Sequence, residues 1–574
     1  MRLPPNRIDG IWVAASKPQA LGMVANTIVQ LNTYSFLPKI RPAGCIIRHF
    51  GLRYSVFDRS KRYGYLRSSN QSLKIRQQEI MTFKELLALV RPENGLRIRT
   101  DSRLVKDGDI FVAVKGTAYD GHDFIEKALL NGARYIVCQQ DGRYTIRDGR
   151  HESVIVDNTA EAAAILAQAA GGNPASQLTN LAVTGTNGKT TVAFLVRSII
   201  RQAGQKCGLI GTILYDTCSG NIYQAPLTTP DCLDIAARQK EMVENGAKYM
   251  IIEASSHALS QNRLAQINFK AAAFTNLSGD HLDYHKTKED YLAAKTRLFS
   301  ALAPDSAAVL NKQSPEAELI AAQTGAGLLW YAIGEKADLT AHIESMDITG
   351  TIFALKYAGQ SSIVRTPLIG LYNVSNCLAA AGLCLAAGFE PETVAAGLSA
   401  LKAIPGRLEK IDPRFCGDKL APAKAGGNFS VIIDYAHTDD ALKNVLTTLK
   451  PLCKGKLRVV FGCGGDRDKT KRPRMARVAE ELADFVIVTS DNPRTEEPND
   501  IINDVVAGFE KSEKQTIAIE PDRKMAIELA IKSAVKDDIV LIAGKGHEDY
   551  QIIGTKKSHF SDKEIAQECL NKQN

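Results

Sequence analysis

From Met81 onward, short apolar runs alternate with amphipathic stretches along the chain. The first stretch, Met81-Thr-Phe-Lys-Glu-Leu-Leu, has the apolar spacing of a helix, and the Ala- and Gly-rich run at 377–389 suits a buried helix. Short apolar runs separated by helical stretches are typical of parallel sheets covered by helices. The pattern therefore predicts an α/β protein with mainly parallel sheets.

The predicted strands fall into three blocks, which we interpret as domains at 81–174, 175–403 and 404–574. Gly171-Gly-Asn-Pro has the composition of a linker, and Ile404-Pro-Gly marks the start of the third block. Loops at the carboxyl ends of parallel strands are where ligands bind in such sheets. The predicted strands are 109–114 and 135–138 in the first block, 181–184, 249–253, 271–275 and 307–311 in the second, and 430–434, 457–462, 485–489 and 538–543 in the third.

The formal net charge of +8 comes from the first 80 residues. They hold 13 Lys and Arg but three acidic residues, whereas the rest of the chain carries 58 basic and 60 acidic residues. The body of the protein is therefore not basic enough to predict nucleic-acid binding. Residues 1–80 show no sustained helical or strand period. We interpret them as a basic, disordered extension or as upstream sequence joined to a true start at Met81, and a transit peptide is the alternative.

Composition narrows the class of protein further. A chain of 574 residues is too long for one hydrophobic core, and its apolar and charged fractions, 45% and 23%, are ordinary for a globular protein. No apolar run approaches the length of a membrane span. The eleven cysteines form no C-x-x-C pair, which argues against a disulfide framework and favours a reducing cytosol. We expect a cytoplasmic monomer.

The segment Thr184-Gly-Thr-Asn-Gly-Lys-Thr-Thr191 lies between a predicted strand and a predicted helix. Its glycines allow the backbone to close around phosphate oxygens, and a helix N-terminus offers free N–H groups. Lys189 would reach the terminal phosphates of ATP and Thr190 would face Mg²⁺. Val183 stands where the general phosphate-loop pattern has its first glycine, so the loop is a shortened variant. A glycine-rich turn that happens to precede Lys-Thr is the alternative. The predicted ATP-binding residues here are Gly185, Thr186, Asn187, Gly188, Lys189, Thr190 and Thr191.

Two residues beyond other predicted strands are candidate magnesium ligands. Glu253 ends the strand at 249–253, and His281 follows the strand at 271–275. Oxygen and imidazole groups at this edge of the sheet could bind a metal next to the nucleotide. Taken alone, each is more often an ordinary strand-end acid or a surface histidine.

Further motifs continue in order to the C-terminus. The whole set is Gly185-Thr-Asn-Gly-Lys-Thr, Glu253-Ala-Ser-Ser-His, Thr275-Asn-Leu-Ser-Gly-Asp-His-Leu-Asp-Tyr-His, Tyr291-Leu-Ala-Ala-Lys, Tyr372-Asn-Val-Ser-Asn, Gly406-Arg-Leu-Glu, Asp434-Tyr-Ala-His-Thr, Gly462-Cys-Gly-Gly-Asp-Arg-Asp, Asp491-Asn-Pro-Arg and Gly544-Lys-Gly-His-Glu-Asp-Tyr-Gln. From about Met81 onward, this ordered set resembles the Mur ligase family.

The resemblance implies a three-domain α/β chain with a UDP-binding N-terminal domain, a central P-loop ATPase domain and a Rossmann-like C-terminal domain that binds an amino acid. It implies an ATP- and Mg²⁺-dependent ligase of peptidoglycan precursor synthesis, and so of cell-wall biogenesis, cell shape and cell division. The expected reaction adds meso-2,6-diaminopimelate to the D-glutamate of UDP-N-acetylmuramoyl-L-alanyl-D-glutamate through an acyl phosphate.

The resemblance also implies roles for particular residues. Lys189, Glu253, His281 and Lys295 would be catalytic, and Lys295 would be carbamylated and would bind metal with Thr190, Glu253 and His281. A carbamate is a hard-cation ligand, whereas a bare ammonium near Mg²⁺ would be repelled. Without the resemblance, a lysine on a helix surface is the default reading of Lys295. Asn373, Arg407 and His437 would contact the nucleotide.

Substrate contacts follow from the same resemblance. The UDP-dipeptide contacts would be Ser102, Thr117, Ala118, Tyr119, Thr228, Thr229, Ser255, Gln261 and Arg263. Leu227 replaces an expected Asn, which puts any role of position 227 in doubt. The diaminopimelate contacts would be Arg467, Asp491, Asn492, Pro493, Arg494, Gly544 and Glu548. Arg494 would clamp the distal carboxylate in two-pronged fashion, Arg467 would meet the other carboxylate, and Glu548 would bind an ammonium.

Three alternatives remain open at this point. The same ligase could use L-lysine, although Arg494 argues against it. A folylpolyglutamate synthase shares the ATPase chemistry, but Asp491-Asn-Pro-Arg is not expected there. A non-catalytic relative acting as a scaffold could lose its ligands, yet Lys189, Thr190, Glu253, His281 and Lys295 are all present.

Overall fold

The computed structural model describes residues 81–117, 119–140, 150–278, 282–411, 415–416, 419–420, 429–510 and 516–573. The predictions for residues 1–80, Ala118 and His281 lie outside these ranges. Within them, no helix is both long and apolar enough to cross a membrane.

The first sheet has four parallel strands in the order β1-β2-β3-β4. The helix predicted at Met81 is present and begins with a capping box, in which Thr82 and Glu85 each bond the other's backbone N–H. β2 and β3 confirm the two predicted strands. The elements are α1 (Phe83–Leu89), β1 (Ile98–Arg99), β2 (Ile110–Val112), α2 (Ile125–Leu130), β3 (Tyr135–Cys138), β4 (Glu152–Ile155) and α3 (Thr159–Ala170), with 3₁₀ turns at Pro92–Asn94, Ser102–Leu104, Gly121–Phe124 and Pro174–Gln177.

The central sheet has eleven strands in the order β15-β14-β13-β12-β11-β10-β5-β9-β6-β7-β8. Its middle is parallel, and antiparallel pairs extend both edges. Leu181 and Val183 pack on one face of β5 and Ala182 on the other, so both faces are buried. The elements are β5 (Thr179–Thr184), α4 (Lys189–Gln202), β6 (Cys207–Ile210), β7 (Leu214–Asp216), β8 (Ile222–Gln224), α5 (Cys232–Glu244), β9 (Tyr249–Glu253), α6 (Ser256–Ser260), β10 (Phe269–Phe274), α7 (Leu282–His285), α8 (Lys288–Ser300), β11 (Ala307–Asn311), α9 (Glu316–Ala321), β12 (Gly327–Ile333), β13 (Leu339–Asp347), β14 (Gly350–Tyr357), β15 (Gln360–Thr366), α10 (Leu371–Ala386) and α11 (Pro391–Ala400).

The third sheet has six strands in the order β16-β19-β23-β20-β21-β22 and is parallel except for β16. Since β19, β23, β20 and β21 run in one direction, the loops after their carboxyl ends meet at one edge of the sheet. The elements are β16 (Glu409–Lys410), β17 (Phe415–Cys416), β18 (Lys419–Leu420), β19 (Ser430–Asp434), α12 (Asp439–Leu449), β20 (Leu457–Phe461), α13 (Lys471–Leu482), β21 (Phe485–Val488), α14 (Pro498–Val506), β22 (Thr516–Ile519), α15 (Arg523–Lys532), β23 (Ile539–Ala543), β24 (Tyr550–Ile553), β25 (Lys556–His559) and α16 (Asp562–Gln573), with a 3₁₀ turn at Lys450–Leu452.

The predicted fold class is confirmed, with all ten predicted strands present and the run at 377–389 lying largely inside α10. The sequence pattern missed β1 and β4 of the first sheet, β6 to β8 and β12 to β15 of the central sheet, β16 and β22 of the third sheet, and the strands of two short hairpins, β17, β18, β24 and β25. Most of these are short, exposed or at a sheet edge, but β6 is fully buried. The domain boundaries at 174/175 and 403/404 stay predictions.

Candidate active site

The segment 185–188 forms a tight loop between β5 and α4, as the sequence predicts. Gly185 and Gly188 have φ of 146° and 91°, a backbone region that side chains rarely adopt. A Cβ at Gly185 would clash with the Thr275 hydroxyl, and one at Gly188 would clash with the Asn376 amide. These two glycines therefore allow a close-fitting loop at the N-terminus of α4, which suits phosphate binding.

Lys189 folds back over this loop. Its ammonium donates hydrogen bonds to the carbonyls of Gly185 and Thr186, both at 2.9 Å. The backbone N–H of Asn187 donates to the side chain of Asn276, which follows β10. Thr191, the last residue of the motif, is buried in the first turn of α4. The loop is thus supported from neighbouring strands, and Lys189 lies at its mouth.

Glu253 ends β9, the neighbour of β5, and is fully buried. Its carboxylate accepts hydrogen bonds from the Thr190 hydroxyl at 3.0 Å, from the Thr212 hydroxyl at 2.8 Å and from the Thr212 backbone N–H at 2.9 Å. All three donors are neutral, and within the described ranges no Lys or Arg forms an ion pair with Glu253. A buried carboxylate without a cationic partner is costly, and a bound divalent cation would offset its charge.

The buried, unbalanced carboxylate of Glu253 fits a site for Mg²⁺. Thr190 and Glu253 bring two hard oxygen ligands together beside the phosphate loop. Across the part of the chain that the structure describes, no cluster of three His, Cys, Asp or Glu side chains could hold a metal. Further ligands would therefore have to come from Lys295, from His281, from the nucleotide or from water.

Lys295 lies on α8 and is 1% exposed, so it is not a lysine of the helix surface. Its ammonium donates to the carbonyl of Gly185 at 2.9 Å and lies 4.3 Å from the ring centroid of Tyr291. Lys295 of α8 and Lys189 of α4 therefore both donate to the Gly185 carbonyl of the phosphate loop.

The predicted substrate contacts of the central domain form one hydrogen-bonded group. Thr229 donates to the Glu253 carbonyl at 2.6 Å and contacts the Ser255 hydroxyl at 3.0 Å. Arg263 donates to the Thr229 carbonyl and, through two nitrogens, to the Gln261 side chain. The structure thus joins these residues to the end of the strand that carries Glu253.

Thr228 and Leu227 lie at the edge of this group. The Thr228 hydroxyl is 3.2 Å from that of Thr212. The Leu227 side chain is 52% exposed, and its carbonyl accepts a hydrogen bond from Tyr215. Position 227 therefore contributes its backbone to the local structure, which any residue can do.

The predicted UDP contacts of the N-terminal domain lie on short segments after β1 and β2. Ser102 is buried in the first 3₁₀ turn after β1, where its carbonyl accepts a hydrogen bond from Asn131. Thr117 is exposed, and the Tyr119 ring is 76% exposed and packs edge-on against Phe124. An exposed tyrosine on a loop is available for stacking on a base.

Asn373, Arg407 and His437, the nucleotide contacts predicted outside the phosphate loop, differ in what they contact. An Arg407 nitrogen lies 3.4 Å from the Thr190 hydroxyl, and its guanidinium lies 4.9 Å from the Tyr435 ring centroid. His437 lies edge-on to the same ring, with the centroids 4.6 Å apart, and is exposed. The Asn373 amide instead donates to the Ile369 carbonyl just before α10 and accepts a hydrogen bond from Asn376, whose side chain leaves no room for a Cβ at Gly188.

His547 completes the cluster around Tyr435, with its ring centroid 5.0 Å from that of the tyrosine. Burial, followed by the nearby Arg407 guanidinium, lowers the pKa of His547 to about 4, so this imidazole is neutral at physiological pH. Within the described ranges, Nδ1 of His547 and Nε of Arg407 are buried without a hydrogen-bond partner. Two unpartnered buried nitrogens in one cluster, on residues packed against Tyr435, mark a place for a polar ligand.

The predicted amino-acid pocket lies at the carboxyl edge of the third sheet. Arg494 has φ of 53°, an uncommon value for a residue with a side chain, and its backbone is held by Ile552 and Gly554. Its guanidinium donates to the Gly465 carbonyl at 2.6 Å. A Cβ at Gly464 would lie 2.9 Å from Arg494, so glycine there makes room for the guanidinium.

Asp491, Asn492 and Glu548 meet around Lys545. The Lys545 ammonium, fully buried, lies 3.2 Å from Asp491 and donates to the side-chain amide oxygen of Asn492 at 2.8 Å. Burial raises the pKa of Asp491, but the charges of Lys545 and Arg523 outweigh burial and lower it overall. The pKa of Glu548 is raised, first by burial and then by Asp491. A cationic ligand group next to Glu548 would favour its ionised form.

The remaining residues of the predicted pocket differ in how directly they could contact a ligand. Pro493 is buried, and its carbonyl lies so close to Gly465 that a Cβ there would clash. Gly544 has φ of 115°, and a Cβ on it would lie 2.9 Å from the Asp491 carboxylate. Arg467 is an exposed residue of the loop after β20. Its guanidinium is therefore available to a ligand but is not fixed by the contacts that hold Arg494.

Sequence reasoning missed Thr212, Asn276, Asn376 and Lys545 as site residues. Asn376 follows Asn373 by three residues, so both lie on one face of a helix, and Lys545 lies inside the motif that begins at Gly544. Both residues could therefore have been predicted from the sequence. Thr212 stands in no motif, and only the pairing of β6 with β9 brings it to Glu253.

The fold and this site define a class of protein. A phosphate loop with a lysine, a Thr–carboxylate pair beside it and a parallel sheet are the parts of a P-loop nucleotide-dependent enzyme. Two further α/β domains flank the nucleotide-binding sheet.

Within that class, the chain belongs to the Mur ligase family. Three family descriptions match it in order: "Mur ligase family, catalytic domain" over residues 97–170, "Mur ligase middle domain" over 183–384 and "Mur ligase, glutamate ligase domain" over 422–546.

Individual relatives are similar over most of their length. The UDP-N-acetylmuramoyl-L-alanyl-D-glutamate–2,6-diaminopimelate ligase of Geobacillus kaustophilus is 42% identical over 479 residues, covering 82% of this chain and 94% of that protein. The ligase of the same name from Gloeobacter violaceus is also 42% identical, covering 83% and 94%. A solved structure of a ligase with this name has a TM-score of 0.59 and 34% identity, covering 83% and 95%. MurF from Thermotoga maritima, solved with ADP, shares the fold with a TM-score of 0.52 and 19% identity, covering 84% and 97%.

Proposed function

We propose that this chain is an ATP-dependent ligase that joins meso-2,6-diaminopimelate to the D-glutamate of UDP-N-acetylmuramoyl-L-alanyl-D-glutamate in peptidoglycan precursor synthesis. Relatives named for this activity are 42% identical to it over 94% of their length. The observation that carries the proposal is that a guanidinium and a carboxylate lie on adjoining loops at the carboxyl edge of the third sheet. Arg494 donates to the Gly465 carbonyl, and Glu548 accepts from Asn492, two residues before Arg494. These charges match the carboxylate and ammonium at the distal end of diaminopimelate.

The chemistry requires activation of a carboxylate, which is a poor acyl donor. The γ-phosphoryl group of ATP passes to the D-glutamyl side-chain carboxylate and gives an acyl phosphate and ADP. The amine of diaminopimelate then attacks the acyl carbon, the C–N bond forms, and the C–O bond to phosphate breaks with its electrons leaving on phosphate. The amine loses its proton to solvent. Lys189 and Arg407 would neutralise charge during phosphoryl transfer.

Bound Mg²⁺ would supply further neutralisation of the phosphate charge. Thr190 and Glu253 would hold it, together with His281 and with Lys295 after carbamylation. Addition of CO₂ to the neutral amine of Lys295 gives a carbamate and releases a proton. The burial of Lys295 against Gly185 supports this role, since the side chain already reaches the phosphate loop.

The remaining roles follow the same scheme. The hydrogen-bonded group of Thr228, Thr229, Ser255, Gln261 and Arg263 would hold the muramoyl dipeptide beside Glu253. Ser102, Thr117, Ala118 and Tyr119 would hold the uridine nucleotide. The described cysteines are free thiols, which supports a reducing cytoplasm as the place of reaction. We propose a monomer, because each of the three domains supplies its own part of the site.

ADP release tests the proposal. The purified chain should release ADP when UDP-muramoyl-dipeptide, diaminopimelate and Mg-ATP are all present, and omission of either co-substrate should reduce the rate to background. Lys189→Ala should lower the complete reaction at least about a hundredfold, since it removes a charge from the phosphate loop. Full turnover without the amino acid would contradict an amide-forming reaction. No turnover in the complete mixture would favour the non-catalytic scaffold.

A further inference from the structure

Lys545 is a fully buried cation behind the amino-acid pocket. It follows β23, and its ammonium contacts four oxygens: the Asn492 side chain at 2.8 Å, the Tyr550 carbonyl at 2.8 Å, Asp491 at 3.2 Å and Glu548 at 3.9 Å. Burial of a lysine is costly unless its ammonium is paired with opposite charge and hydrogen-bonded. These contacts tie the loop after β21, which carries Asn492 and Arg494, to the loop after β23.

The contacts fix which way the Asn492 amide points. Its oxygen accepts hydrogen bonds from Lys545 and from the backbone N–H of Ile552 at 3.0 Å, which fills both of its acceptor positions. Its nitrogen donates to Glu548 at 2.9 Å. Among the described contacts, the Asn492 side chain therefore has one N–H group left to donate and no acceptor position, on the same chain segment as the Arg494 guanidinium.

The ion pairs around the predicted amino-acid site also indicate where a ligand's charged groups would bind. Lys545 balances Asp491, and Arg523 balances Asp562 in a fully buried pair. Of these six residues (Lys545, Asp491, Arg523, Asp562, Arg494 and Glu548), Arg494 forms no described ion pair, and Glu548 has only the longer one to Lys545 at 3.9 Å. These two residues would suit a group that carries one carboxylate and one ammonium.

We propose that Lys545 is a positioning residue for substrate choice: by holding Asn492 as a donor and neutralising Asp491, it makes the Arg494 side of the pocket accept a carboxylate and leaves Glu548 for an ammonium. This inference rests on the proposed function. Lys545 itself need not touch the amino acid. Its effect is on the choice between diaminopimelate and lysine, which lacks the distal carboxylate.

The test compares kcat/KM for meso-diaminopimelate with kcat/KM for L-lysine in the full chain. Lys545→Met keeps the length of the side chain but removes one of the two donors that hold the Asn492 oxygen and leaves Asp491 without its nearest cation. The ratio of the two efficiencies should fall by about tenfold or more, the size expected for one hydrogen bond to a charged group, while KM for ATP stays unchanged. Lys557→Met is the matched control, because Lys557 is exposed and contacts only the outer face of Tyr550 among the interactions described. It should leave the ratio unchanged.

A second variant covers the case in which Lys545→Met does not fold. Asn492→Asp is nearly isosteric and replaces the donating nitrogen by an oxygen, so it should lower the same ratio. A folded Lys545→Met chain with an unchanged ratio would overturn the inference, and so would an unchanged ratio in Asn492→Asp. In both cases a wild-type chain that prefers diaminopimelate would leave the proposed function standing. A wild-type chain active with neither amino acid would refute the proposed function and this inference with it.

Discussion

Replacement of Arg494 by alanine should remove most of the preference for diaminopimelate. Within the described ranges the Arg494 side chain makes one hydrogen bond, to the Gly465 carbonyl, which uses one of its five N–H donors. The other donors remain for a two-pronged contact with the distal carboxylate. Loss of one partner of a buried charge pair costs about 2–5 kcal/mol, and because Arg494 is only partly buried we expect the lower part of that range, about 2–3 kcal/mol. This corresponds to a decrease of roughly 30- to 150-fold in kcat/KM.

The assay is phosphate release at varied diaminopimelate with saturating ATP and UDP-muramoyl-dipeptide. Arg494→Lys should not restore activity, because an ammonium cannot reproduce the two-pronged geometry. Arg477→Ala, which removes an exposed arginine from α13, should behave like the wild type. A loss smaller than about threefold in Arg494→Ala, or an equal loss in the KM for ATP, would refute the reasoning.

Three further predictions concern other parts of the chain. Lys295→Ala should nearly abolish phosphate release while UDP-dipeptide binding, measured by calorimetry, is kept, and added short carboxylic acids should partly restore turnover as surrogate ligands. A truncated chain beginning at Met81 should keep the melting temperature and activity of the full chain, since the capping box of α1 lies within it. Asp562→Ala should lower the free energy of unfolding in urea by about 3–5 kcal/mol, because it leaves Arg523 buried and unpaired.

Each of these has a control and a contradicting outcome. Lys288→Ala, an exposed lysine of the same helix as Lys295, should keep its activity, and a fully active Lys295→Ala chain would exclude the carbamate role. A large loss of stability on removal of residues 1–80 would show that they belong to the fold. Lys532→Ala breaks an exposed ion pair on α15 and should cost less than about 0.5 kcal/mol. A cost as small in Asp562→Ala would contradict the burial argument.

The sequence was most informative where both faces of a strand are buried. β5, β9, β10 and β23 are continuous apolar runs because helices cover both sides of the sheet, so each run stands out without context. β22 has an exposed residue, Ile519, and lies at the edge of its sheet, and β25 is Lys-rich and exposed, so neither has such a run.

Part of the candidate site is encoded in local motifs, and part depends on tertiary contacts between distant segments. The phosphate loop is encoded within eight consecutive residues, so its conformation could be predicted from the sequence. The burial of Lys295 could not, because a lysine on a helix is usually exposed and only the pairing of β5 with β10 brings α8 against Gly185. The same holds for Lys545, whose four oxygen partners come from two segments of the chain, Asp491 with Asn492 and Glu548 with Tyr550.

The central claim is that the chain forms an amide bond with diaminopimelate through ATP-driven activation. The most direct measurement is phosphate release by the wild-type chain with UDP-muramoyl-dipeptide and Mg-ATP, comparing meso-diaminopimelate and L-lysine at equal concentration, with the product identified by mass spectrometry. The account predicts rapid release with diaminopimelate, a product heavier by one diaminopimelate residue, and at least about 30-fold slower release with lysine. Faster release with lysine would contradict the assigned specificity, and the absence of a ligated product with either amino acid would contradict the catalytic assignment itself.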